Sequence, residues 1–146
     1  KTITRKFVVI QYGPLILLCL IFLISMPKVY QYPKQDFTSA RDFVKQQSTG
    51  DDRVVAIHMA GRVYQLYYAP EWPEINSIKE LNEHRSKNGY TWVIYTLPSY
   101  IKSAIPLLNE KLETEFELIK TFPGTLGDGQ IIVRRSKIKD NNLYEK

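Results

Sequence analysis

The chain has 146 residues and a formal net charge of +5, with acidic and basic residues intermixed along its length. A nucleic-acid-binding surface needs clustered lysine and arginine, so no nucleic-acid partner is expected. A single cysteine and two histidines exclude an internal disulfide and a metal site built from those residues, and no cofactor is predicted for this chain.

The first predicted element is a mostly apolar run from Phe7 to Met26, with no charged residue between Lys6 and Lys28. A helix of about twenty apolar residues spans roughly 30 Å, the thickness of a bilayer core, so the run predicts a transmembrane helix. Three basic residues precede it, and the positive-inside rule then places the N-terminal flank in the cytoplasm and the remainder outside. We therefore expect a protein of the plasma or inner membrane, with residues 1–28 as flank and membrane helix and 29–146 as an extracytoplasmic domain.

Two other interpretations of this run stay open. A buried core helix is one, although a soluble helix rarely lacks polar residues over so many turns. A cleaved signal peptide is the other, but it has a shorter apolar stretch and small residues at its cleavage site. Here the stretch ends in Ser25-Met26-Pro27-Lys28, which favours a retained helix. Lys1 is not a methionine, which is compatible with a piece cut from a longer protein.

Helical and strand patterns alternate after this run. Four helices are predicted. The first has its N-cap at Asp36, runs to about Gln47 and is ended by Gly50. The others cover Arg62–Tyr68, Ser77 to Asn88-Gly89, and Pro98 to about Glu113 with an interruption at Pro106. The predicted strands cover Val54–Ile57, Trp92–Tyr95, Phe116–Phe122 and Gln130–Arg134. This alternation predicts a small three-layer α/β domain with a mainly parallel sheet. The last short connection forces a C-terminal β-hairpin.

The hairpin turn, Pro123 to Gly129, reads PGTLGDG. We expect at least one of its glycines, Gly124, Gly127 or Gly129, to have positive φ. It is not a phosphate loop, because it lacks the G-x-x-x-x-G-K-[ST] pattern and a strand follows it.

Four features in order carry a resemblance to a known family. They are YPKQDFTSARDFVKQQSTGDDRVV, a helix ending in YY, the strand YTWVIYT, and FPGTLGDGQIIVRR. They resemble the C-terminal end of polytopic membrane glycosyltransferases, the group that includes protein O-mannosyltransferases and the lipid A aminoarabinose transferase. In bacterial members, a last transmembrane helix leads into a small extracytoplasmic α/β domain.

The resemblance implies a function for the whole enzyme. Such enzymes transfer a sugar from a polyprenyl-phosphate carrier to a protein, lipid or glycan acceptor. Their catalytic acidic residue lies in the first extracytoplasmic loop, which has no counterpart here, so no catalytic residue is carried over. The implied partners are the lipid bilayer, the remaining transmembrane helices of the same enzyme, and a lipid-linked sugar or acceptor.

The residues considered alone offer two candidate sites. The carboxylates Asp51-Asp52 and Glu71/Glu74 are possible glycosidase pairs, but such residues more often form turns and solubilise loops. The stronger candidates lie near the carboxyl end of the first strand, where open α/β sheets bind ligands. These possible ligand-proximal residues are His58, Arg62, Tyr64, Tyr67 and Tyr68. A tyrosine-rich helix that packs on the sheet or on lipid is the more ordinary account of the three tyrosines.

Three classes of function stay open. The first is the C-terminal domain of a membrane glycosyltransferase whose catalytic part lies outside this chain. The second is a complete single-pass protein that carries a binding or accessory domain of the cell envelope. The third, a small envelope hydrolase, is ranked last, because G-x-S-x-G is absent and no histidine–cysteine pair lies outside the apolar run.

Overall fold

A computed structural model describes residues 2–31, 34–125 and 127–137. The chain divides into two compact units, with the boundary between Pro33 and Lys34.

The first unit is the helix α1, Thr2–Gln31, whose side chains are described from Tyr12 to Pro27. The large apolar side chains between Leu15 and Ile24 are each 50% to 70% exposed. Within the described residues, no helix is long and apolar enough to cross a membrane. The transmembrane helix predicted from the sequence therefore has no support from the structure.

The second unit is a mixed α/β domain. Its helices are α2 (Phe37–Gln47), α3 (His58–Val63) with a π-helical extension (Tyr64–Tyr68), α4 (Ile78–Glu83), α5 (Pro98–Ala104) and α6 (Pro106–Glu115). Its strands are β1 (Arg53–Ile57), β2 (Glu74–Ile75), β3 (Thr91–Thr96), β4 (Phe116–Phe122) and β5 (Ile131–Ser136). The four longer strands confirm those predicted. The two-residue β2 was not predicted, because the proline-rich segment around it shows no strand pattern.

The strands form one sheet in the order β2-β1-β3-β5-β4. Strand β1 pairs parallel with both β2 and β3, and β5 pairs antiparallel with both β3 and β4. Four of the five strands therefore point the same way, which confirms the mainly parallel sheet and the C-terminal hairpin.

Buried apolar residues cover both faces of this sheet. On one face, α2, α3 and the π-helical extension pack against Ala56, Trp92 and Val133. On the other, α4, α5 and α6 pack against Val55 and Val93. Successive strand residues alternate between the two clusters, as the pleat requires, and the result is a three-layer domain.

The predicted starts of α2 and α4 and the predicted end of α2 are confirmed, whereas the predicted end of α4 is wrong. The Asp36 side chain accepts a hydrogen bond from Ser39 N at 3.0 Å, and Ser77 accepts one from Glu80 N at 3.2 Å. Helix α2 ends at Gln47 as predicted, although its C-cap is Ser48 and not Gly50. Helix α4 ends at Glu83, before Asn88-Gly89, because the residues that follow are drawn into a loop tied to the start of β1.

Two smaller expectations are wrong. The apolar residues of the last predicted helix, Pro98 to about Glu113, would place Leu107 inward with Leu108 and Leu112, but Leu107 is 67% exposed. None of the described glycines has positive φ. Gly124 is instead needed for a close approach, since a Cβ there would clash with the backbone of Gly129 and lie 2.8 Å from the carbonyl oxygen of Lys34.

Candidate functional site

The carboxyl ends of β1 and β3 form a topological switch point. These strands are parallel neighbours at the centre of the domain. Helix α3 follows β1 onto one face of the sheet, whereas α5 follows β3 onto the other. Open α/β sheets bind ligands where successive helices leave in opposite directions, because the chain opens a gap there. We call this end of the sheet the carboxyl edge.

Left-handed backbone marks the carboxyl edge on both strands. His58, the first residue after β1, has φ 50°, and Leu97, the first residue after β3, has φ 55°. They are the two non-glycine residues with positive φ in the described part of the chain. This conformation costs about 1–2 kcal/mol for a residue with a Cβ, and such strain is concentrated at functional sites.

His58 and Tyr100 meet across the switch point. The Tyr100 hydroxyl and His58 Nε2 share a hydrogen bond of 3.3 Å, and the ring centroids lie 5.1 Å apart. Tyr100 lies in the first turn of α5 and remains 44% exposed. The imidazole and the phenol therefore present polar atoms to solvent at a strand edge, where they can hydrogen-bond a phosphate or a sugar hydroxyl.

Neighbouring elements hold the carboxyl edge in place. Gln35, near the start of the α/β unit, donates to Thr96 Oγ1 at 3.0 Å. The Asp128 side chain of the hairpin turn accepts a hydrogen bond from Ser99 N at 2.7 Å. A residue distant in the sequence therefore caps the start of α5. Gly61 lets α3 pack against the strands, since a Cβ there would lie 2.7 Å from the carbonyl oxygen of Ala56.

The five residues predicted to lie near a ligand do not gather in one place. His58 lies at the edge, and exposed Arg62 follows one helical turn later. Tyr64 is fully buried, donates to the carbonyl oxygen of Phe37 at 3.2 Å, and has a raised pKa because of its burial. Tyr68 stacks on Phe37, and Tyr67 is 75% exposed on the π-helical extension, two turns beyond His58.

Two of the carboxylates considered for glycosidase chemistry, Asp52 and Glu71, have structural partners. Burial would raise the pKa of Asp52, but hydrogen bonds from the Thr49 and Tyr90 backbone and from the Trp92 indole outweigh it and lower the pKa. Glu71 forms an ion pair with Lys45 at 2.8 Å, which lowers its pKa. The contacts of Asp52 are those of a residue that stabilises a turn, and the contact of Glu71 is a surface ion pair. Among the described residues, no group of histidine, cysteine, aspartate and glutamate side chains could hold a metal ion.

Sequence reasoning missed Tyr100 and Leu97. Tyr100 lies shortly after a predicted strand, but its nearness to His58 could be predicted only with the knowledge that β1 and β3 are adjacent.

Comparisons with known proteins add no relative: no family model, curated protein or solved structure matches the chain. The class of the protein therefore rests on its fold and its site: it is a three-layer α/β domain with a polar, strained carboxyl edge.

Proposed function

We propose that the α/β unit is the C-terminal, extracytoplasmic domain of a membrane glycosyltransferase and orients the polyprenyl-phosphate sugar or its acceptor. The observation that carries the proposal is the carboxyl edge, where left-handed His58 lies hydrogen-bonded to Tyr100 at the switch point of the sheet. Such an edge is a binding surface by its position and its exposed polar atoms.

The chemistry itself belongs to a part of the enzyme outside this chain. In the described α/β unit Asp52 and Glu71, one carboxylate from each pair considered for catalysis, are held by structural hydrogen bonds and an ion pair. Sugar transfer needs carrier and acceptor held in reactive geometry, and a rigid domain next to the reaction centre supplies that positioning. The ordered sequence motifs that resemble the end of such transferases support the same role.

The second line of support comes from the sequence and not from the structure. The run from Phe7 to Met26 is mostly apolar and carries no charge, and its proposed surroundings are lipid and the other helices of the same enzyme. Three basic residues before Phe7 orient it with the α/β unit outside the cytoplasm.

Activity of the purified chain tests the proposal. The 146-residue chain in detergent is expected to leave a polyprenyl-phosphate sugar unchanged, whereas membranes that contain the complete enzyme transfer it. Turnover by the chain alone would contradict the positioning role. A reporter active only in the cytoplasm, fused after Lys146, is expected to be inactive, and its activity would contradict the orientation.

A further inference from the structure

A cavity of about 780 Å³ lies at the opposite end of the parallel strands from His58 and Tyr100. It is lined by the loop that enters β1, the segment before β2, and the loop between α4 and β3. We call this end of the sheet the amino edge. The volume is within the range of about 300–1,000 Å³ that is typical of small-molecule sites.

Hydrogen bonds hold the walls of the cavity in place without a ligand. Ser86 Oγ donates to the carbonyl oxygen of Asp51 at 2.6 Å and accepts from Gly89 N at 2.8 Å. Asp52 accepts from Tyr90 N at 2.8 Å, which ties the same two loops a second time. Because the walls are already ordered, a ligand loses little affinity to loop ordering.

Part of the charged lining is already used within the protein. Asp52 accepts three N–H groups, and Glu71 is paired with Lys45. Arg85 forms an ion pair with Glu115 and lies 5.3 Å from the ring centroid of Phe116. These groups shape the cavity but do not select the charge of a ligand.

The other charged side chains of the lining balance one another. Asp51 and Glu83 carry negative charge, whereas Arg53 and Lys87 carry positive charge. Glu83 also lies 3.9 Å from Lys79, but both side chains are well exposed and such a pair is weak. A balanced set does not attract an ion of either sign, yet it offers both donors and acceptors.

Apolar surface completes the lining. Pro73 is partly exposed beside these polar groups, whereas Trp72 is 4% exposed and contributes only an edge. A sugar ring matches such a lining, because its hydroxyls both donate and accept while a C–H face packs on the proline ring. From this juxtaposition we propose that the amino-edge cavity binds an uncharged saccharide. The proposal goes beyond the positioning role of the carboxyl edge and does not depend on it.

Binding measurements on the full chain test this site. The chain is kept in a polyoxyethylene detergent, which has no sugar headgroup to compete. Maltose and cellobiose serve as neutral probes, and glucuronic acid and glucosamine as charged ones, in NMR titrations that follow the two tryptophan indole N–H signals. The neutral sugars are expected to shift the Trp72 signal. The charged ones are expected to bind at least about threefold more weakly, since the balanced lining supplies no net opposite charge to offset the cost of removing their charge from water.

Charge removals in the cavity localise the site. Glu83→Ala and Lys87→Ala should each weaken neutral-sugar binding about tenfold, since each removes a charged hydrogen-bonding group. Lys102→Ala and Glu110→Ala are matched controls, because they remove exposed charges of the same types from α5 and α6. Absence of neutral-sugar binding, unchanged binding in both cavity variants, or preference for a charged sugar would each overturn the proposal.

Discussion

The two edges of the sheet are held in place by different means. At the amino edge, Asp52 and Ser86 tie two loops together with hydrogen bonds, and Gly89 lets the loops touch. At the carboxyl edge, His58 and Leu97 adopt left-handed backbone beside an exposed tyrosine. The amino edge therefore stabilises the fold, whereas the carboxyl edge stores strain that the rest of the fold must offset.

The largest expected effect comes from crowding the amino edge. In Gly89→Ala the new Cβ would lie 2.6 Å from the carbonyl oxygen of Asp51 and from Asp52 Oδ1, so the loops must separate. We expect a loss of about 3 kcal/mol in the free energy of unfolding, measured by urea denaturation. Gly50→Ala is the control, because its Cβ would meet nothing within 4 Å. Equal stability of the two variants would contradict the close approach of the loops.

Removal of the Asp52 charge should have the next largest effect. Asp52→Asn weakens hydrogen bonds from three N–H donors, at an expected cost of about 2 kcal/mol near neutral pH. Because the fold lowers the pKa of Asp52, its stabilisation is fully present above the ordinary carboxyl pKa and is lost as pH falls through the lowered value.

The pH dependence provides the check on that account. Urea midpoints measured between neutral and acidic pH should fall less steeply for Asp52→Asn than for the unchanged chain. Parallel curves would show that Asp52 does not stabilise the fold through its charge. Asp51→Asn, which changes the adjacent exposed carboxylate, should leave the curve close to that of the unchanged chain.

A smaller effect of opposite sign is expected at the carboxyl edge. His58→Gly removes the Cβ that makes left-handed backbone unfavourable and should stabilise the fold by up to about 1 kcal/mol, after the entropy cost of glycine. His84→Gly is the matched control, since His84 has an ordinary φ of −96° and should lose stability. Thermal midpoints compare the two, and destabilisation by His58→Gly would show that the edge is not strained.

The sequence predicted the elements whose signal is local. Apolar β-branched runs located β1 and β3, and the side chains of Asp36 and Ser77 located two helix starts. Such signals depend on a few neighbouring residues, so they survive without knowledge of the tertiary fold.

The features that the sequence did not predict depend on distant contacts. Gly124 is constrained by the backbone of Gly129 across the turn and by Lys34, which is remote in the chain, and not by its own φ. Leu97 adopts left-handed backbone although leucine gives no signal for it. The partnership of His58 and Tyr100 requires the strand order, which only the folded sheet provides.

Steady-state kinetics of the proposed transferase, with this chain as its C-terminal part, test the central claim, that the carboxyl edge binds without taking part in the chemistry. Tyr100→Phe removes one hydroxyl from the edge, and Tyr67→Phe removes one from the exposed π-helical extension as the control. Tyr100→Phe should raise KM for the carrier or the acceptor about fivefold, the equivalent of one hydrogen bond, with kcat within about twofold. Tyr67→Phe should change neither. A collapse of kcat at unchanged KM, or kinetics identical to the unchanged enzyme, would contradict the account.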